Sequence, residues 1–471
     1  MTRATDISPE APTWELVVDG KRLPYGIKRQ IETVTTHATL EGATQLSLIG
    51  DALDGTDMTL SLLDDRVLFP GSKVELWAGY GSSLFPKGRF KVLSQEPEYT
   101  ADGVPFTIEA FDGLKRFLGD KEGRLIQGVT SHSDAVALMM ERDYPDMGYL
   151  IEPGPEKKGD RFKKAGVTDL NLLKRFAIAD GFAYPRVWTR DQYEFLRNEV
   201  KSGLGGNDLA LFIALDGAAK VRDDMLIYVP LSTLYNFIKP VDLWWSPTRA
   251  SDWTALRIFF SAADLPTAVE VYGTANVGGE KKLVRAVVEY GSEGVKIAEV
   301  EEDWEDDWAK QQKLRKELSS GGKLKLYTLS DGIRAYETGG TFSYRNDKGV
   351  QVKGKSKRAG REILNGNGVL IDSEQDVLEF AKRWFLARAS AYLVGSGTLM
   401  NTPGLERLDV SQVHNIRGVA TPHQGAFVFT EVTHTWTAED HSVNVGLQKL
   451  VTEQDLSVNG AAPTATSEET E

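Results

Sequence analysis

The sequence predicts a β-rich α+β chain, and three observations carry that prediction. Short alternating runs separated by tight turns fill the first 112 residues, a helical period appears between residues 131 and 181, and strand-like patterning returns from Met225 onward. At 471 residues the chain is long enough for about three structural units.

After a polar leader, Trp14–Val18 reads as a strand, Asp19 and Gly20 as a tight turn, and Lys21–Leu23 as the return. Further strands are expected at Thr44–Ile49, Met58–Leu62, Val74–Tyr80 and Arg89–Ser94. Asp102 and Gly103 turn the chain into Val104–Asp112, where Phe106, Ile108 and Ala110 alternate with polar residues. The period then changes: Ser133 can cap a helix carrying Ala135, Val136, Leu138 and Met139. A stronger helix follows, with Thr168 or Asp169 as its cap, Leu170, Leu173, Phe176 and Ala177 on one face, and Gly181 as its stop.

From Met225 to Val300 the runs LRIFF, AVEVYG and LVRAVVEYG read as a second β domain. The acidic run Glu299–Asp307, followed by Lys310, Lys313, Arg315 and Lys316, matches the helix dipole and places Trp304 and Trp308 on one face of a solvated helix. Lys353, Lys355, Lys357 and Arg358 fall in a Gly- and Ser-containing stretch read as an exposed hairpin or loop. Ser373–Leu393 predicts a helix with Val377, Phe380, Ala381, Trp384 and Ala391 in one stripe and Gly395 beyond its end. The last strands run from Gly425 through Leu450, and the polar tail is expected to be disordered.

Composition narrows the function. A formal charge of -13 works against holding a phosphate backbone and suits a conduit that nucleic acid traverses without sticking. The chain has no cysteine, which removes disulfides, thiolate metal sites and cysteine nucleophiles. Neither a secretory leader nor an apolar run of membrane-spanning length is present, so no stable membrane association is expected.

Chemistry-bearing motifs are scarce. No Walker loop, dinucleotide fingerprint, HExxH pair or GxSxG elbow occurs. The glycine-rich stretches Gly79–Ser83 and Gly395–Gly397 lack a following helix and read as turns. His414, His423, His434 and His441, with Asp440, could be imagined around zinc or iron, but their spacing is irregular and they read as strand and loop histidines. Asp112, at a strand end before LKRF, reads as a helix cap rather than a catalytic acid. The expectation is therefore no catalytic, cofactor-binding or metal-ligating residue and no cofactor.

Several ordered stretches resemble one family. They are DGKRLP, PGSKVELWAGYG, KGRFKV and DGVPFTIEAFDGLKRF at the front, TDLNLLKRFAIADGFAYPRVW in the centre, and AKRWFLARASAYL, GSGTLMNTPGLERLDVSQVHNIRGVA and GAFVFTEVTHTW at the back, with Pro403 and Gly404 before a strand. Together, from about Trp14 to Leu450, they resemble the late-control protein D family of phage baseplate hubs, related in fold to the hub region of type VI secretion spike proteins. Leu204–Tyr235 and Glu299–Arg361 depart from the pattern and look like insertions, and no lysozyme-like module is recognisable.

The resemblance implies two tail-tube-like β-barrel domains with an inserted small α/β domain: a first barrel at 13–125, the α/β domain at 126–220, a second barrel at 221–298 and 362–452, an insertion at 299–361 and a tail at 453–471. It implies a homotrimer in the virion baseplate, assembled in the host bacterial cytoplasm. Its partners would be the tail tube protein, the central spike, baseplate wedge proteins and the tape measure, with DNA in passage. A cell-wall hydrolase and a glycan- or receptor-binding tail protein are the alternatives, motivated by the many carboxylates and the ten tryptophans.

Overall fold

A computed structural model describes residues 11–260 and 393–449 apart from short gaps, the backbone of eight strands between 268 and 365, and Phe380, Arg383 and Trp384. The acidic run at 299–307 with Trp304 and Trp308, Lys357, Arg358, most of the 373–393 helix and the tail lie outside the described residues.

The first half contains β1 (Pro12–Val18), β2 (Lys21–Arg22), β3 (Ile31–Thr39), β4 (Gln45–Asp51), β5 (Lys73–Tyr80), β6 (Ser83–Pro97) and β7 (Pro105–Asp112). Asp19 and Gly20 both take positive φ, 48° and 79°, the mirror-image turn whose twist matches the β1–β2 hairpin. The expected strand at Met58–Leu62 is not one: Ser61–Asp64 is a helical turn with Leu62 buried, and Met58 lies outside the described residues.

The α/β unit comprises β8 (Arg124–Ile126), α1 (His132–Asp143), β9 (Gly148–Ile151), β10 (Arg161–Lys163), α2 (Asp169–Asp180), β11 (Arg186–Thr189), α3 (Arg190–Gly203), α4 (Gly206–Ala218), β12 (Asp224–Tyr228) and α5 (Leu231–Phe237). Ser131, not Ser133, caps α1, accepting from the Asp134 N–H at 3.0 Å. Thr168 caps α2, and Gly181 ends it in the left-handed region. Asp169, the other cap candidate, is fully buried in the first turn, where its carboxylate accepts from Lys163 at 2.7 Å, Arg124 at 2.8 Å and Tyr144 at 2.7 Å. Asp224–Tyr228, expected to open the second barrel, is instead the central strand of the β11–β12–β9 sheet. A five-residue apolar strand carries no signal about which sheet it joins, and pairing decided the matter.

The second half contains β13 (Asp242–Trp244), β14 (Trp253–Phe260), β23 (Leu393–Met400), β24 (Val413–Arg417), β25 (Gly425–Trp436) and β26 (His441–Lys449). Between β14 and β23 come β15 (Ala268–Val277), β16 (Glu280–Gly291), β17 (Gly294–Ala298), β18 (Leu326–Thr328), β19 (Ile333–Tyr336), β20 (Thr341–Arg345), β21 (Gln351–Lys355) and β22 (Arg361–Asn365). The strands at 268–298, expected in the second barrel, pair with β22, β19 and β18 in a sheet of their own. The long β15–β16 hairpin closes locally, and its far edge is met in parallel by β22. Lys353 and Lys355 fall on β21 of the separate β20–β21 hairpin.

Gly395–Gly397, read from sequence as a turn, lies inside β23, and Leu393, the expected end of a helix, opens that strand. Gly397 is there for space: a Cβ would come within 2.3 Å of the Trp253 indole. Gly81, by contrast, does sit in the turn between β5 and β6.

Both halves share one thirteen-stranded sheet in the order β14–β23–β26–β25–β3–β4–β7–β6–β5–β1–β2, with β24 and β13 branching from β25. Within it one topology occurs twice. Strands β3, β4, β5, β6 and β7 are ordered in space as β3–β4–β7–β6–β5, and β14, β23, β24, β25 and β26 as β14–β23–β26–β25–β24. The irregularities repeat as well. The first strand of each unit holds one extra residue against the second, Glu32 and Thr254, and the fourth holds one extra against the fifth, Leu93 and Thr430.

Each unit has its own apolar core, one around Trp14, Leu48, Val74, Phe90 and Ile108, the other around Leu399, Phe427, Phe429 and Val443. Trp436, fully buried at the end of β25, belongs to the first core although its strand belongs to the second unit. Trp436→Ala is expected to lower unfolding stability by about 3–5 kcal/mol, measured by denaturant titration. A loss below about 1 kcal/mol would mean that this side chain does not tie the halves together.

Candidate functional site

The joint between the two units is where side chains from the first unit, the α/β unit and the second unit converge. It is made by β25 and β3, which pair antiparallel from Glu431↔Thr39 to Trp436↔Val34. The N-terminal part of β25 pairs instead with β24, from Val413↔Val428 to Ile416↔Gly425. The exchange happens at the bulged residue Thr430, whose carbonyl accepts from the Leu40 N–H at 2.9 Å.

On the inner side of the joint Tyr80, His441 and His434 form a buried chain. Tyr80 Oη lies 2.7 Å from His441 Nδ1, His441 Nε2 lies 3.0 Å from His434 Nδ1, and His434 Nε2 lies 2.7 Å from the Leu408 carbonyl. One assignment of protons satisfies all three contacts with both rings neutral: Tyr80 donates to His441, His441 to His434, and His434 to Leu408. Trp436 stacks on both imidazoles at interplanar angles of 5° and 4°. Burial and the nearby Lys87 cation push both histidines down, His441 to about 3 and His434 well below its ordinary value.

Lys87 reaches this cluster because β6 bulges. Leu76 pairs with Gly88 and Trp77 with Pro86, so Lys87 is the extra residue and is turned out of the strand's alternation. Its ammonium donates to the Glu406 carbonyl at 2.7 Å and lies 3.1 Å from His434 Nε2. Desolvation lowers it to about 8 despite the pull of Asp409 and Glu406.

The α/β unit braces the same place. Arg186 on β11 donates to the Thr39 carbonyl of the first unit at 3.1 Å and to Asp409 of the second at 3.2 Å. Gln192 donates to the Lys87 carbonyl at 2.9 Å. A cavity of about 710 Å³ lies between the three parts, walled by Phe85, Lys87, Asp112, Arg186, Trp188 and Glu406.

Among the residues singled out from sequence, Asp112 is a cap: its carboxylate accepts from the Leu114 N–H at 3.0 Å. Burial raises it to about 6, against the pull of Arg186 and hydrogen bonds from Thr44. His434 and His441 do meet, but His414 lies apart on β24, taking the Val241 N–H at 3.1 Å and contacting Gln412 at 2.9 Å. His423 and Asp440 fall in separate turns. No group of three potential metal ligands occurs among the described residues. Lys87, Tyr80 and Arg186 were not singled out from sequence. The Pro86–Lys87–Gly88 run inside a strand was the available sign of a bulge.

These contacts have a pH consequence. His414 is lowered by burial to about 4, so three histidines stay neutral in the fold and take protons when it opens. Their contribution is complete above about 6.5 and is lost as the pH falls toward 4. Asp112 works in the opposite sense between about 6 and its ordinary range, one group against three. The melting temperature is expected to drop as the pH goes from 6.5 to 4, and His434→Gln, which cannot take that proton, should make the drop shallower. An unchanged slope would place the acid sensitivity elsewhere.

No protein-family model matches the sequence, and no curated protein matches it. Solved structures do. A tail protein from Neisseria meningitidis MC58 superposes with a TM-score of 0.50 at 10% identity, covering 95% of this chain and 99% of that one. The 43 kDa tail protein of prophage MuSo2 from Shewanella oneidensis gives 0.49 at 11% identity over 93% and 98%. An Escherichia coli component of the type VI secretion system, described as similar to bacteriophage T4 tail proteins, gives 0.45 at 10% over 93% and 77%. The resemblance read from the ordered sequence stretches is thus borne out at the level of fold: this chain has the mostly antiparallel fold of a tail protein.

Proposed function

We propose that the chain is a structural baseplate hub of a contractile phage tail, a trimeric ring that joins the tail tube to the central spike and lines the channel for tape measure and DNA. The observation that carries this reading is the repeat: one chain supplies two copies of a five-strand unit side by side in one sheet. Three chains then supply six units, and a threefold ring offers a sixfold tube six equivalent positions. The two units are the tube-like barrels of this reading, and the α/β unit is the brace between them.

One face of the shared sheet supports the channel role. Opposite the apolar cores, β3 presents Thr35 and His37, β25 presents Thr433 and Thr435, and β26 presents Asn444, half-buried or exposed. Strands β3, β4, β7, β23 and β25 contain no lysine or arginine. Across these five strands a hydroxyl-rich surface without lysine or arginine gives a passing polyanion little to hold.

In this reading the protein works in the virion baseplate after assembly in the host cytoplasm, with the tail tube, spike, wedge proteins and tape measure as neighbours. Its activity is geometric rather than catalytic, since the buried polar groups at the joint are spent on holding three parts together. Sedimentation of the purified chain, alone and with its spike, is expected to give the mass of a trimer. A compact monomer under every condition would sink the proposal.

A further inference from the structure

The internal repeat fixes how one copy would meet the next. Within the chain, the first strand of unit one, β3, lies against the C-terminal part of the fourth strand of unit two, β25. The matching elements on the outside are the first strand of unit two, β14, and the C-terminal part of the fourth strand of unit one, β6. Both have a free edge among the described residues. β14 ends the sheet, and β5 covers β6 only from Ser83 to Lys91.

We propose that β14 of one copy pairs antiparallel with Gln95–Tyr99 of a second copy, repeating the β3–β25 joint between chains. This deepens the ring reading and rests on it, although the register comes from this chain alone. The shared bulges align the units residue by residue: Leu93 matches Thr430, Ser94 matches Glu431, Thr254 matches Glu32 and Arg257 matches Thr35. Carrying over Thr433↔His37 and Thr435↔Thr35 gives Glu96 opposite Phe259 and Glu98 opposite Arg257.

Two independent features of the free edges agree with that register. Arg257 and Glu98 bring opposite charges face to face where the internal joint has two threonines, and cross-strand pairs of opposite charge are favourable. Tyr99 and Phe259, which are 69% and 42% exposed, both fall on the proposed contact. Pro97 matches His434. The Glu98 N–H is spent on the Pro105 carbonyl of β7, so Pro97 turns its backbone to the open edge without an N–H to offer. A proline at that place discourages unguided strand pairing and leaves recognition to side chains. The contact is head-to-tail, so its repetition adds units in the same sense as the internal joint, and in the ring reading three copies bring six such steps to closure.

The absence of cysteine makes the test clean. Arg257→Cys combined with Glu98→Cys, under a mild oxidant, should give a reducible ladder ending at the trimer, because residues directly opposite lie within disulfide reach. Arg257→Cys combined with Thr107→Cys should not. Arg257→Glu should raise the concentration for half-assembly at least about tenfold by setting like charges opposite. Arg257→Glu with Glu98→Arg should restore it, which separates a lost contact from a lost fold. A trimer by sedimentation in which the Arg257–Glu98 cysteine pair never cross-links would overturn this interface and leave the hub reading standing. A chain that stays monomeric even with its spike would overturn both.

Discussion

One strand with a divided edge holds this molecule together. β25 gives one side to β26 along its length, and it splits the other side between β24 and β3 at Thr430. A strand without the extra residue would have to leave one partner or twist both. The bulge lets the chain bend between two cores while the inward side chains stay in phase. Phe427 and Phe429 therefore fill one core and Trp436 the other. Everything else at the joint, from the neutral histidines to Lys87 and Arg186, is arranged around the place where that strand changes partners.

The histidines at the joint are held by hydrogen bonds rather than by their own charge. His434, His441 and Tyr80 pass hydrogen bonds in one direction into a backbone carbonyl, which keeps both rings neutral in an environment that penalises an imidazolium. Arg186 reaches across from the α/β unit to both halves, so that unit is a third support of the joint. A buried network of this kind ties orientation to bond geometry, and so fixes the relation between the two units.

Strands with strong apolar alternation were readable from sequence: β1, β5 and β7 lie close to where the pattern put them. β3 was not, and it is the strand that makes the joint. Thr33, Thr35, Thr36 and His37 give it little hydrophobic contrast, and its partner lies almost four hundred residues away. Boundaries failed for the same reason. Asp224–Tyr228 and Ala268–Ala298 look like any other strands, and only non-local pairing assigns them to sheets. The histidine cluster was noticed, but as loose possible ligands. Their stacking on Trp436 depends on a hairpin register that spacing alone does not reveal.

The long excursion between β14 and β23 begins and ends at directly opposed residues, Phe260 and Leu393. The equivalent connection in unit one is just Leu40–Thr44. The cost of closing a loop grows only slowly with its length, and here both ends are already fixed by neighbouring strands. The hairpin end is thus a mounting point: the separate sheet within 268–365 hangs from two strand ends that the framework fixes without it.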